Sequence, residues 1–155
     1  MSATVVVLRS RAYRFGVATE HDRGLRLFVA DVAGDNWSEL TAGETAAVRI
    51  AASDLQQARR VRGRITEDVA VILDITVAVA ADYRSARNAM PRIDGGTLHY
   101  AGTIDGLAGL VADIFVADVA DGVTFIPANP QQDMRALADA ALDRIARRLP
   151  LAGAA

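Results

Sequence analysis

One long apolar stretch in the middle of the chain decides the fold: Val69 to Ala80, which reads VAVILDITVAVA. Its many β-branched side chains disfavour a helix, because two heavy atoms on Cβ restrict the side chain against the preceding turn. A strand that is apolar at nearly every position is typical of a parallel sheet covered on both faces. We therefore predict that Val69 to Ala80 is the central strand of such a sheet.

Asp74 is the single charged residue in this stretch. One interpretation is a buried carboxylate with a raised pKa close to a functional site. The other is a polar residue at a bend or at an exposed edge of the sheet. The sequence favours neither interpretation over the other.

Strand and helix patterns alternate on both sides of this stretch. Further strands are predicted at Leu25 to Ala33, Thr45 to Ala51 and Val123 to Ile126. Capping residues mark the helix starts: Ser53 in the capping box Ser53-Asp54-Leu55-Gln56, Asp82, Thr103, and Asn129 followed by Pro130. This rhythm is typical of βα units in a mainly parallel sheet.

Three shorter segments complete the predicted organisation. Trp37 to Leu40 is interpreted as a short helix, and Pro91 to Ala101 as a loop. Thr4 to Phe15 alternates as a strand or one arm of a hairpin, followed by a turn at 21–24. We thus predict an N-terminal strand segment (1–24), a βα domain (25–150) and a disordered tail (151–155).

Composition excludes several classes of function. The chain has 155 residues, 52% of them hydrophobic, which suffices for the core of one domain. Cys is absent, and all 17 Lys and Arg residues are Arg. Without Cys the chain has no disulfides and no thiolate nucleophile. Without Lys it has neither the amine for Schiff-base chemistry nor the lysine of a phosphate-binding Walker loop.

Charge and hydropathy exclude others. The net charge of −2 gives the chain no general attraction to nucleic acid, and the cluster Arg59, Arg60, Arg62 and Arg64 is interpreted as a solvated helix face. His21 and His99 are isolated, so no metal site is expected. The sequence lacks both an apolar run of about 18 residues and a signal-peptide pattern, which predicts a cytoplasmic protein without membrane contact.

Several segments resemble the C-terminal half of the luciferase-like flavin-dependent monooxygenases and oxidoreductases. They are GTIDGLAGLVADIFVADVADGVTFIP (102–127), the final IARRLP (145–150), ETAAVRIAASDLQQARRVRGRI (44–65) and DVAVILDITVAVAADYRSAR (68–87). The resemblance covers Leu25 to Pro150. It implies a (β/α) barrel fold, which needs about 250 residues when complete.

This chain has room for about four βα units, so the resemblance implies a half TIM-barrel-like domain. Half of a closed sheet has exposed edges, which demand cover from a second copy, from the N-terminal strand or from a partner chain. We therefore expect a homo-oligomer or a complex with a partner chain rather than a monomer.

The resemblance also implies FMN or a deazaflavin as cofactor, with its phosphate at the carboxyl ends of the strands. The matching position is Ala33-Gly34-Asp35-Asn36, where many members carry Ala-Gly-x-Ser. Asn36 stands in the Ser position, and Asp35 adds a negative charge that would repel a phosphate. The candidate cofactor-binding residues are Gly34, Asn36, Ser38 and Thr103, and turn and cap preferences alone would also select such residues.

Trp37, the only Trp, either stacks on a ring or fills a core or an interface. No catalytic residue is identified. The leading functional hypothesis is a truncated or split flavin-dependent oxidoreductase that is catalytically incomplete alone. The alternatives are a non-enzymatic α/β self-association or interaction module on the same scaffold, and a small-molecule binder without redox chemistry.

Overall fold

A seven-stranded sheet forms the body of the protein. The computed structural model describes residues 4–8, 24–90 and 96–153. The strands in chain order are β1 (Thr4–Leu8), β2 (Arg26–Val29), β3 (Ser38–Glu39), β4 (Ala47–Ala51), β5 (Ala70–Val79), β6 (Leu98–Gly102) and β7 (Gly122–Pro127). The helices are α1 (Leu55–Arg64), α2 (Tyr83–Ala89), α3 (Ile104–Val116) and α4 (Met134–Ala146).

The central strand is β5, as the sequence predicts. It pairs with β7 along one side, and along the other side with β4 over 70–73 and with β6 over 75–79. β7 in turn pairs with β2. These four pairings are parallel, so the carboxyl ends of β2, β4, β5, β6 and β7 point to one edge of the curled sheet, which we call the rim.

Four strand–helix units follow one another, namely β4–α1, β5–α2, β6–α3 and β7–α4. Helices α1, α3 and α4 pack on one face of the sheet, and alternate residues of β5 face them: Val71, Leu73, Ile75 and Val77. This helix-covered face holds most of the buried apolar side chains. The opposite face, which we call the inner face, carries the other residues of each strand, because side chains alternate along a strand.

The sheet is mixed rather than mainly parallel. β1 pairs antiparallel with β4, and β3 pairs antiparallel with β2, so both ends of the parallel array carry a reversed strand. β1 lies in the segment predicted as an N-terminal strand, and it adds to the sheet beyond β4. The rest of that prediction, at 9–15, and the turn residues 21–23 lie outside the described residues.

Two predicted segments adopt a different structure because tertiary pairing overrides local signals. The helix predicted for Trp37 to Leu40 is wrong: Ser38 and Glu39 form β3 against β2. The predicted loop ending at Ala101 is wrong from Leu98 onward. β5 continues past the end of β4, and β6 pairs with the part of the same edge of β5 that β4 does not reach. The first part of that loop, 91–95, lies outside the described residues.

Two helices begin later than predicted. Asp54 rather than Ser53 caps α1: its Oδ1 accepts from Gln57 N at 2.7 Å, and Gln57 Oε1 accepts from Ser53 N at 2.7 Å. The last helix begins after Asp133, whose carboxylate accepts from Ala136 N. Asn129 instead closes a turn by accepting from Gln131 N, so the predicted cap at Asn129 with Pro130 as first helical residue is wrong.

The other predicted helix caps, Asp82 and Thr103, are confirmed. The start of the expected disordered tail is ordered: Leu151 forms a bridge with Leu25, and Ala152, which is buried, donates its N–H to Leu25 O. The chain after α4 therefore returns to the sheet beside β2. Residues 154–155 lie outside the described part.

Capping of α1 gives a direct test. We expect Asp54→Ala to lower the free energy of unfolding by about 1 kcal/mol, because Gln57 N loses its acceptor. Ser53→Ala is the matched control and should cost less, since Gln57 accepts from the Ser53 backbone N–H, which this change keeps. Urea denaturation measures both variants. A larger loss for Ser53→Ala would contradict the observed cap.

Candidate functional site

A row of side chains crosses the inner face of the sheet. Phe28 of β2 lies beside Thr124 of β7 in the strand register, and Thr124 lies beside Asp74 of β5. Arg49 of β4 reaches the row from the other side of β5. Neighbouring strands are about 4.8 Å apart, so these four residues gather within the span of four strands.

Arg49 and Asp74 form an ion pair within this row. Arg49 Nε lies 2.7 Å from Asp74 Oδ1, and the two side chains are only 10% and 12% exposed. Burial raises the pKa of Asp74 above its ordinary value, although hydrogen bonds from Arg49 and Thr124 and the charge of Arg49 oppose this. Of the two interpretations of Asp74, the buried carboxylate is confirmed, and the exposed edge is wrong.

Trp37 lies on top of this row. Its ring stacks on Phe28 with centroids 4.0 Å apart and planes 5° from parallel, and the Arg49 guanidinium carbon is 5.9 Å from the Trp37 ring centroid. Trp37 Nε1 donates to Thr124 Oγ1 at 2.8 Å. Thr124 lies directly beside Asp74 in the register of β7 and β5.

Trp37 reaches the inner face from the segment 30–46, which joins β2 to β4 and which we call the strap. The strap is anchored by Arg26, whose side chain is 2% exposed and binds Glu39 through two hydrogen bonds of 2.8 and 2.9 Å. Arg26 also donates to Thr45 O at 2.7 Å. Sequence reasoning missed Arg26 and Glu39, because nothing local indicates that two residues 13 positions apart form a buried pair.

The predicted cofactor residues Gly34 and Asn36 lie in a turn in which Asp31 engages three of the donors. Asp35 N donates to Asp31 Oδ1 at 2.8 Å, Asn36 Nδ2 donates to Asp31 Oδ2 at 2.6 Å, and Gly34 N donates to Asp31 O. Gly34 and Asn36 have φ of 81° and 55°, the left-handed values that such a turn requires. The carboxylate of Asp31 thus takes the place an anion would take.

Two further features separate this turn from a phosphate site at a helix N-terminus. The chain that follows the turn enters β3 at Ser38 rather than a helix, so no helix begins at the turn, and Ser38 is exposed in β3. Gly34 O accepts from Arg49 Nη1 at 2.6 Å, which ties the turn to the inner-face ion pair. The turn is therefore built to hold the strap against Arg49.

Thr103, the fourth predicted cofactor residue, caps α3 and accepts from Gly106 N at 3.2 Å. Tyr100 lies over this helix start: its hydroxyl donates to Thr103 O at 2.8 Å, and a Cβ added at Gly102 or Gly106 would collide with that hydroxyl. These glycines are therefore explained by the packing of Tyr100. β5 and β7 separate Thr103 from the turn at Gly34, so the structure does not bring the four predicted residues together.

Gln132 shapes the rim between these two places, and sequence reasoning did not single it out. Its side-chain amide accepts from Val79 N at 3.0 Å and donates to Val77 O at 2.7 Å, as a backbone residue of a neighbouring strand would. The loop after β7 is thereby fixed to the carboxyl end of β5. A long-range bond of this kind leaves no local signal in the sequence.

Metal and membrane sites are not found in the part of the chain that the structure describes. It contains no cluster of three or more His, Cys, Asp or Glu residues suited to a metal ion. None of its helices has the length and apolar character needed to cross a bilayer.

Comparison with protein-family models and with curated proteins finds no match to this chain. What the site offers is therefore set by its chemistry. A guanidinium is paired with a carboxylate on the inner face, and an indole ring that donates to the neighbouring threonine hydroxyl covers them.

The ion pair is tested by a double-mutant cycle. Arg49→Met should lower the free energy of unfolding by about 3 kcal/mol, because Asp74 would remain buried without its charged partner. Asp74→Leu should also destabilise, since Arg49 loses its acceptor, and the double variant should recover most of the loss. Additive effects of the two changes would contradict a coupled pair.

The pH dependence of stability tests the burial of Asp74. Since its pKa is raised in the folded protein, the folded chain holds a proton that the unfolded chain has lost, and the group's contribution to stability falls as pH rises. We expect the unfolding free energy of the wild type, relative to that of Asp74→Asn, to decline from about pH 4 upward. An increasing difference would contradict this direction.

Proposed function

We propose that the chain is one half of a split luciferase-like flavin-dependent oxidoreductase, catalytically incomplete alone, which binds FMN or a deazaflavin together with a partner chain. One observation carries the proposal: five parallel strands end at a single rim of a curled sheet, and α1, α3 and α4 all pack on one of its faces. Parallel strands that end at one rim are a feature of barrel walls, and barrel enzymes place their sites at this rim.

The partner is needed for two physical reasons. In a complete barrel the inner faces of opposite strands fill the interior together, and this chain supplies about half of the strands. In addition, Asp31 engages the donors of the turn at Gly34, and Tyr100 lies over the start of α3. A flavin phosphate would compete with these groups, so the isolated chain should bind flavin weakly at most.

A second candidate is a non-enzymatic α/β self-association or interaction module. The specific observation in its favour is the strap, which covers the inner face with a stacked Trp37 and a paired Arg49 and Asp74. A face closed in this way needs no cofactor to be stable. In this candidate the outer sheet strands, rather than the rim, carry the interaction with a second copy.

Reconstitution separates the two candidates. The chain is co-expressed with the N-terminal half-barrel of a luciferase-like oxidoreductase, and the visible absorbance of bound flavin and the mass of the assembly are measured after purification. The proposal expects a flavin-containing complex, and no flavin on the chain alone. A homodimer of the 16.4 kDa chain without flavin would support the interaction module instead. A monomer that binds neither flavin nor the other half-barrel would contradict both candidate functions.

Charge at the turn offers a sharper test of where the phosphate binds. In the flavin-containing complex, Asp31→Ala should raise the affinity for FMN several-fold, because it frees Asp35 N and the Asn36 amide and removes a negative charge. Asp35→Ala removes the same charge from the same turn but keeps Asp31 in place, and is the matched control. Riboflavin, which lacks the phosphate, should respond to neither change. Equal gains for FMN and riboflavin would place the phosphate elsewhere.

A further inference from the structure

The indole of Trp37 occupies a slot with two walls and a floor. Phe28 forms one wall at 4.0 Å, and the Arg49 guanidinium faces the ring from β4, on the far side of β7 and β5 from β2. Thr124, from the neighbouring strand β7, forms the floor and accepts the ring N–H at 2.8 Å, with Asp74 of β5 beside it in the strand register. Three different kinds of contact thus converge on one planar ring.

Each of these contacts is one that proteins use to bind planar nitrogen heterocycles. Parallel stacking on an aromatic side chain favours a flat ring of any kind. A guanidinium over a ring adds cation–π attraction and planar stacking, which stabilise a flat ring beside it. A hydroxyl oxygen placed to accept a ring N–H, as Thr124 Oγ1 is, favours a ring that carries such a donor.

The slot belongs to the sheet, whereas its occupant belongs to the strap. Phe28, Arg49, Asp74 and Thr124 lie on four neighbouring strands, so their positions are set by the ladders. Trp37 is partly exposed, and its neighbours Asn36 and Ser38 are exposed. Movement of residues 30–37, which precede β3, away from the sheet would open the slot. It would break the bond of Arg49 to Gly34 O but leave Arg49 paired with Asp74.

We propose that this slot is a binding site for a planar heteroaromatic ring that carries a ring N–H, and that Trp37 is an internal occupant which such a ligand displaces. The ligand class includes two-ring systems such as benzimidazole, a purine or a pterin, which match the size of indole. It also includes the three-ring flavin. The proposal stands independently of the proposed function, because it rests only on contacts within this chain.

A variant that empties the slot tests recognition of the ring N–H. Trp37→Gly should bind indole, and it should bind indole about five- to tenfold more tightly than indene, which has the same shape without the N–H. Trp37→Gly with Thr124→Val is the matched control, since valine keeps the volume but removes the acceptor, and it should bind the two compounds equally. Calorimetric titration measures all four affinities. Equal affinities of Trp37→Gly for indole and indene would overturn the proposal.

The wild-type chain tests displacement and does not depend on the folding of any variant. Because Trp37 is the only Trp, its emission reports the slot directly. Titration with benzimidazole should shift the Trp37 emission toward that of a solvent-exposed indole and increase quenching by acrylamide. An unchanged emission at millimolar benzimidazole would overturn displacement, whatever the variants show.

FMN in a parallel titration distinguishes the ring sizes. If benzimidazole binds and FMN does not, the slot is assigned to two-ring ligands, and the flavin hypothesis is then tested by reconstitution alone. Binding of both assigns it to the wider class. If neither binds, while the reconstituted complex holds flavin, the slot proposal fails and the proposed function survives.

Discussion

The buried ion pair between Arg49 and Asp74 is the contact on which the inner face depends. A half-barrel sheet buries one face under its own helices, but the other face would be filled in a complete barrel by the opposite strands. Here Arg49 neutralises Asp74, binds the carbonyl of Gly34 and lies over Trp37, so one side chain joins the sheet to the strap. Removing either charge would leave the other buried without compensation, which is costly at low dielectric.

The closure of the inner face by the strap also determines which donors are accessible in the turn at Gly34. The same strap that brings Trp37 onto Phe28 also carries the turn in which Asp31 engages the backbone and side-chain donors. If the strap opened as proposed, the inner face and the donors held by Asp31 would therefore be exposed together, because both belong to one segment. A partner chain or a ring ligand that stabilises the open strap would favour both, in proportion to its preference for that state.

Local signals in the sequence predict the parts of the fold that local physics controls. The β-branched run at β5 and the caps at Asp82 and Thr103 fall where expected, because side-chain sterics and capping bonds act within a few residues. Trp37, by contrast, bonds Thr124 across 87 positions, and Gln132 completes β5 across more than 50. Such partners are chosen by the topology, so the strap, the late start of α4 and the closed inner face could not be read from the sequence.

Hydrogen exchange at the Trp37 indole Nε1–H tests most directly whether the strap closes the inner face. Nuclear magnetic resonance follows this single proton beside the backbone amides of β5 in the same sample. A closed strap predicts exchange far slower than that of a free indole, because the donor is bonded to the fully buried Thr124. Exchange at the rate of a free indole, while the β5 amides remain protected, would contradict the closed inner face.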